Sequence, residues 1–267
     1  MNVIKRNNVI VSGKGTDPMM FAHGFGCDQN MWRFVAPQFA DAYQIILFDH
    51  VGAGQSDLNA FDYDKYKILD GYADDIVDIA KELNLKNIIF VGHSVSAMIG
   101  VIAANKSPEL FKSLILVSPS PCYINDKEYI GGFSRSEIEE LLEALSKNHL
   151  GWSLTMAPVI MGNPDRQELG DELADSFCRT DPTIAAHFAR TTFLTDSRDI
   201  ISSIQTPSLI LQCDNDIIAP IQVGEYLQQN MNNSKLVYLD ATGHCPNLSA
   251  PEQTVSAIKH FIANDFN

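Results

Sequence analysis

The stretch Asn87-Ile-Ile-Phe-Val-Gly-His-Ser-Val-Ser-Ala-Met-Ile-Gly100 constrains this chain more than any other. It opens on an apolar run, 88–91, whose β-branched and aromatic content suits a buried strand. It closes on Val95, Ala97, Met98, Val101, Ile102, Ala103 and Ala104, an apolar set that suits a buried helix. Between them Gly92-His93-Ser94 makes a strand-to-helix turn that only small residues near its apex permit. Such a turn lifts the Ser94 hydroxyl off the end of the sheet in strained geometry. The following helix then directs free N–H groups and its positive dipole end at any oxyanion forming beside that hydroxyl. These are the features of a nucleophile elbow. The usual pattern, G-x-S-x-G, wants glycine where this chain has Ser96. The competing reading, a plain strand-to-helix connection with a surface serine, is therefore decided by whether a base and an acid follow in order.

Composition narrows the setting. At 267 residues the chain fits one large α/β domain or a core with an insertion. Hydrophobic residues make up 45%, ample for a core, and no apolar run reaches the ~18 residues of a membrane span. The start, Met1-Asn-Val-Ile-Lys-Arg, lacks the basic-then-apolar pattern of a secretion signal, so a cytoplasmic protein is expected. The five cysteines, Cys27, Cys122, Cys178, Cys213 and Cys245, are odd in number and have no C-x-x-C spacing. They read as reduced thiols, with neither a zinc site nor a disulfide framework, and no metal or cofactor is expected. A net charge of −14 disfavours nucleic acid and anionic membrane as partners.

In chain order, Val3-Ile4 and Val9-Ile10-Val11 read as short β-like runs, and 13–18 as turn chemistry. The run 19–22 is the next strand, ending in His23-Gly24-Phe25-Gly26, where glycines let the backbone bend and expose amides. A helix is expected over 31–39, broken or started by Pro37, then a strand over 45–48 and an amphipathic helix over 71–85. The elbow and another strand, 114–117, complete the rhythm of a parallel sheet covered on both faces. From 118 to about 203 only helix-like pieces follow. Ser134-Arg-Ser-Glu137 is a capping-box pattern, and Asp181-Pro182 an N-cap followed by proline at the first helical position. Strands resume at 208–211 and 236–239, with helices around 223–229 and 251–266. The expectation is an α/β core over 1–117 and 204–267, with 118–203 as a helical lid over the strands' carboxyl ends, where such sheets bind ligands. Helices laid there either pack tightly or leave a pocket. Trp152, Phe133 and Phe193 among these helical segments predict one large enough for a small hydrophobic molecule.

The partners of Ser94 lie beyond the insertion. Asp214-Asn-Asp216 and Gly243-His244 each follow a strand, so both side chains reach the elbow, in the order Ser, Asp, His. His244 takes the Ser94 proton, and a carboxylate holds the imidazole tautomer. Asp214 and Asp216 compete for that role; Asp216 is preferred because Pro220 follows four residues on. His149, His187 and His260 read as solvated or helix-surface residues and His50 as a loop residue, while His23 and His93 flank the site and fix loop hydrogen bonds. Backbone N–H groups of Val95, just after the nucleophile, and Phe25, in the loop after 19–22, are the expected oxyanion donors.

On these residues the chain resembles the α/β-hydrolase superfamily. Within it, the resemblance is to the group holding the RsbQ-like stress-response regulators of bacteria and the plant strigolactone and karrikin receptors. The strings that carry it are His23-Gly-Phe-Gly26 with Asp28-Gln29 and Trp32, Leu47-Phe-Asp49, Gly52-Ala-Gly54, Gly71-Tyr72 and the elbow itself. They continue through Ser118-Pro-Ser-Pro121, Tyr123, Asn125-Asp126, Gly131-Gly-Phe133 and Gly243-His244. The elbow string, Ser96 included, is close to the plant receptors'. Leu211-Gln-Cys213, Asp216-Ile-Ile-Ala219 and Gly243-His-Cys-Pro246 resemble the bacterial branch. The resemblance implies an α/β-hydrolase fold with a four-helix lid, a Ser94–Asp216–His244 triad and oxyanion amides at Phe25 and Val95. It also implies an apolar pocket lined by Phe25, Phe133, Trp152, Phe193 and Val95, although each aromatic alone fits ordinary packing equally well. Slow hydrolysis of small hydrophobic esters or lactones follows by resemblance, as does signalling through a PAS-domain phosphatase toward a general-stress sigma factor. A plain metabolic carboxylesterase, or a receptor with vestigial hydrolysis, stays open beside that reading. A dehalogenase needs aspartate where Ser94 stands and is discarded.

Overall fold

Residues 2–264 are described by a computed structural model whose central strands are apolar on both sides, so the sheet must be covered on both. The strands are β1 (Ile10–Ser12), β2 (Pro18–Ala22), β3 (Gln44–Leu47), β4 (Ile88–His93), β5 (Phe111–Val117), β6 (Ser208–Asn215) and β7 (Ser234–Thr242). They form one sheet in the order β1-β3-β2-β4-β5-β6-β7. Only β1 runs antiparallel, against β3. Alternation divides the core. Met19, Phe21, Ile89, Val91, Ile115 and Leu211 face one side; Met20, Ala22, Ile88, Phe90, Leu116 and Ile210 face the other.

The helices in chain order are α1 (Val3–Arg6), α2 (Asp70–Glu82), α3 (Val95–Lys106), α4 (Arg135–Lys147), α5 (His149–Met161), α6 (Gln167–Arg179), α7 (Pro182–Phe193), α8 (Ile221–Asn230), α9 (Pro246–Ser249) and α10 (Pro251–Asn264). Ile76 and Ile79 of α2, α3, and Val223 and Leu227 of α8 cover one face of the sheet. Ile258 and Phe261 of α10, with Trp32 and Phe39, cover the other. Between β5 and β6 the described chain adds isolated bridges, the four helices α4–α7 and a 3-10 turn at Ile201–Ser203, with α5 against α6 and α4 against α5 and α7. Both arms of the Ser134–Glu137 capping box form. Asp181 accepts from Thr183 N at 2.9 Å and Ile184 N at 3.0 Å, with Pro182 at the first helical position. Among the described residues no helix is long and apolar enough to cross a membrane.

Some expectations are corrected. Val3-Ile4 is not a strand: Asn2 caps a single helical turn there, and Arg6 is held by Asp75 at 2.8 Å. The 31–39 helix resolves into two 3-10 turns, Gln29–Trp32 and Ala36–Phe39. Asp28 starts the first turn, and Pro37, with no N–H to give, prevents one continuous helix. The last two strands run on to Asn215 and Thr242, further than the apolar runs alone indicated. The expected closing helix is present through Asn264; its predicted end at Phe266 lies outside the described residues.

Candidate active site

β2 and β4 are neighbours although β3 lies between them in sequence, so the strand order reverses at their carboxyl ends. The His23–Gly26 loop and Ser94 both emerge there. Ser94 has φ 57° and ψ −125°, left-handed backbone that only a constrained turn imposes on serine. Its N–H donates to Val117 O at 2.8 Å. Gly92 is required beneath it, since a Cβ there would lie 2.5 Å from Ser96 O.

The turn after β7 carries His244. Gly243 sits at φ +88°, and a Cβ there would fall 1.8 Å from Met161 O, so the loop closes only on glycine. His244 Nε2 lies 2.7 Å from Ser94 Oγ, and its Nδ1 lies 2.7 Å from Asp216 Oδ2. Asp216 Oδ1 accepts from Ile218 N at 2.8 Å and Ala219 N at 3.1 Å, so both carboxylate oxygens are committed. An Nδ1–H donated to Asp216 leaves Nε2 as the acceptor for the Ser94 hydroxyl. The His244 backbone is fixed on both sides: its N–H donates to Ile160 O of α5 at 3.0 Å, and its carbonyl accepts from His93 Nε2 at 2.7 Å. Burial lowers the His93 pKa to about 3, with repulsion from His244 adding to it. Asp214, the competing carboxylate, points to solvent and has no contact with His244 among these bonds.

Among the described residues the N–H groups of Phe25 and Val95 find no protein acceptor. A cavity of about 30 Å³ at Ser94 is lined by Phe25, Tyr123, Leu173, Phe177, Phe193 and Ile218, among others. That is room for a water or two, smaller than the expected pocket. The cause is aromatic packing: Phe25 stands 5.8 Å from Phe177 and from Phe188, 6.1 Å from Phe193 and 6.3 Å from Trp152. Phe25 and Phe193 thus line the cavity, Trp152 stacks behind on Phe177 at 5.8 Å, and Phe133 is not among its walls. Phe133 instead pairs its backbone with Tyr123 and Asn125. Two larger grooves, about 720 and 500 Å³, include neither Ser94 nor His244.

Several wall residues carried no sequence signal of their own. Cys27 and Cys245 line the cavity as buried thiols, and burial pushes Cys27 up to about 12. The Tyr123 hydroxyl is buried in the same wall. His50 lies in a loop as expected but is buried there, and His149 is buried rather than solvated. His23 and His93 do hold loops, by Nδ1 to Gly24 O at 2.9 Å and Nε2 to His244 O.

Residues 19–257 match the α/β hydrolase family, and the chain belongs to it. It is 36% identical over 264 residues to karrikin insensitive 2 receptor CA of Petunia hybrida, covering 98% of both chains. To strigolactone esterase D14 of Arabidopsis thaliana it is 37% identical over 262 residues, again 98% of each. Among solved structures, a hydrolase from Oleispira antarctica superposes with a TM-score of 0.96 at 42% identity, over 98% of this chain and 97% of that one.

Proposed function

We propose that this hydrolase cleaves small hydrophobic esters or lactones through an acyl-enzyme on Ser94. The observation that carries the reading is the unbroken line of contacts, 2.7 Å from Ser94 Oγ to His244 Nε2 and 2.7 Å from His244 Nδ1 to Asp216. His244 takes the hydroxyl proton as Ser94 attacks the carbonyl, Asp216 stabilises the imidazolium, and that imidazolium protonates the leaving oxygen. A water then repeats the sequence to free the acid. The unpartnered amides of Phe25 and Val95 are the donors for the oxyanion. Helices α4–α7 serve as a lid domain over 118–203, and with about 30 Å³ at Ser94 the substrate is either very small or enters as the aromatic rings give way. Esterase and receptor names among the 36–39% identical relatives support this substrate class.

The finer reading is an RsbQ-like regulator, cytoplasmic, that couples this site to a PAS-domain phosphatase in stress signalling. What favours a protein partner is α5, which is apolar yet leaves Leu150 and Leu154 57% and 61% exposed on the lid. An adjacent gene for such a phosphatase would support it, and a plain metabolic esterase is the alternative. The chemistry is tested with p-nitrophenyl acetate: Ser94→Ala abolishes both burst and turnover. Retention of most activity in the purified variant rejects Ser94 as nucleophile.

A further inference from the structure

The peptide unit that carries the Phe25 N–H is held from behind by a histidine ring. Its carbonyl, Gly24 O, accepts from His23 Nδ1 at 2.9 Å. That bond needs the His23 proton on Nδ1, and the neighbouring backbone puts it there. The His50 N–H donates to His23 Nε2 at 3.0 Å, so Nε2 carries no proton. The His23 carbonyl in turn accepts from the Ser96 hydroxyl, and Ser96 Oγ accepts from His50 Nε2 at 2.7 Å. A hydroxyl is one donor and an acceptor, so one side chain closes the circuit between the two histidines. All three residues are buried, and burial lowers both imidazole pKa values, which keeps the rings neutral as these tautomers require. The rings also meet edge to face at 4.7 Å.

Ser96 stands where the elbow pattern ordinarily has glycine. A glycine here would leave two buried groups, the His23 carbonyl and the His50 Nε2–H, without partners. We propose that His23, His50 and Ser96 are positioning residues for the oxyanion donor. His50 and Ser96 fix the His23 tautomer and place, and the His23 Nδ1–H locks the Gly24–Phe25 peptide so that its N–H stays aimed at the developing oxyanion. A hydrogen bond to the carbonyl of that peptide also polarises its N–H. Space enforces the arrangement from the other side, because a Cβ on Gly24 would lie 2.5 Å from His93 Nδ1. The inference rests on the proposed roles of Ser94 and the Phe25 amide.

The test is the rate at which an alkyl fluorophosphonate labels Ser94. Ser94 Oγ displaces fluoride from phosphorus while His244 accepts the hydroxyl proton, and the phosphoryl oxygen takes the place of the oxyanion. Ser96→Gly and His23→Leu are expected to lower the maximal labelling rate about ten- to a hundredfold, the scale of a misplaced donor. The half-saturating probe concentration and the pH midpoint of labelling stay as in the wild type, because the pocket and the His244–Asp216 pair are untouched. Ser96→Thr, which keeps the hydroxyl, and His23→Asn, whose Nδ2–H stands in for Nδ1–H, recover most of the rate. Wild-type rates in both Ser96→Gly and His23→Leu overturn the inference while leaving the nucleophile in place. Failure of the wild type to label at Ser94 overturns the nucleophile, and this inference with it.

Discussion

At the scale of single residues, the two carboxylates after β6 separate cleanly. Asp216 spends one oxygen on His244 and the other on two backbone amides, while Asp214 is exposed. Asp216→Asn presents a donor or a weaker acceptor to His244 Nδ1 and favours the wrong tautomer, so turnover should fall about 10⁴-fold. Asp214→Asn should stay near wild type; steady-state kinetics with p-nitrophenyl acetate measure both, and the reverse ranking would move the acid. That Ser94, Asp216 and His244 come together was legible because each follows a strand and their order is that of the fold. His50 was not. Its partner Ser96 is 46 residues away, and nothing local distinguishes a buried ring in that loop from a solvated one.

At the scale of elements, the segment between β5 and β6 packs its rings beside Ser94. Helices α5, α6 and α7 contribute Trp152, Phe177 and Phe193, which close around Phe25. Truncating Phe193 or Trp152 to alanine should open room for longer acyl chains, raising hydrolysis of hexanoate relative to acetate esters while leaving acetate hydrolysis largely intact. The same change removes a packed ring and should lower stability by about 3–5 kcal/mol, measured by chemical denaturation. Unchanged chain-length preference would show that the rings do not bound the acyl site. The helices of this segment were legible from caps such as Ser134–Glu137, because a cap is a local hydrogen bond. How tightly they settle was not, since aromatic residues line a pocket or fill it with the same composition. Val3-Ile4 misled for a related reason: β-branched propensity is weak beside an Asn2 cap and an arginine anchored to Asp75.

At the scale of the whole molecule, acid should unfold this protein through histidines that fold neutral. His23, His50 and His93 are all buried with lowered pKa values, His93 to about 3 from 6.5. Below pH 6.5 the unfolded chain binds protons that the folded one refuses, so stability is fully present above that pH and is lost as pH falls toward the folded value. Between those two values His93 contributes a slope of up to about 1.4 kcal/mol per pH unit. His93→Gln keeps a donor to the His244 carbonyl but cannot titrate, so its melting temperature should fall less steeply between about pH 6.5 and pH 4.5. Parallel melting curves for the two proteins would contradict a neutral His93. The near absence of space at Ser94 carries a different consequence, one of populations. Only molecules whose aromatic rings have moved aside admit a ligand larger than a water or two, so observed affinity is intrinsic affinity multiplied by the opened fraction. If about one molecule in a hundred is open, a ligand binds about a hundredfold more weakly than its contacts dictate. Ligands of different shape then rank by how much opening they demand, and a variant that stands open gains affinity for all of them without a single new contact.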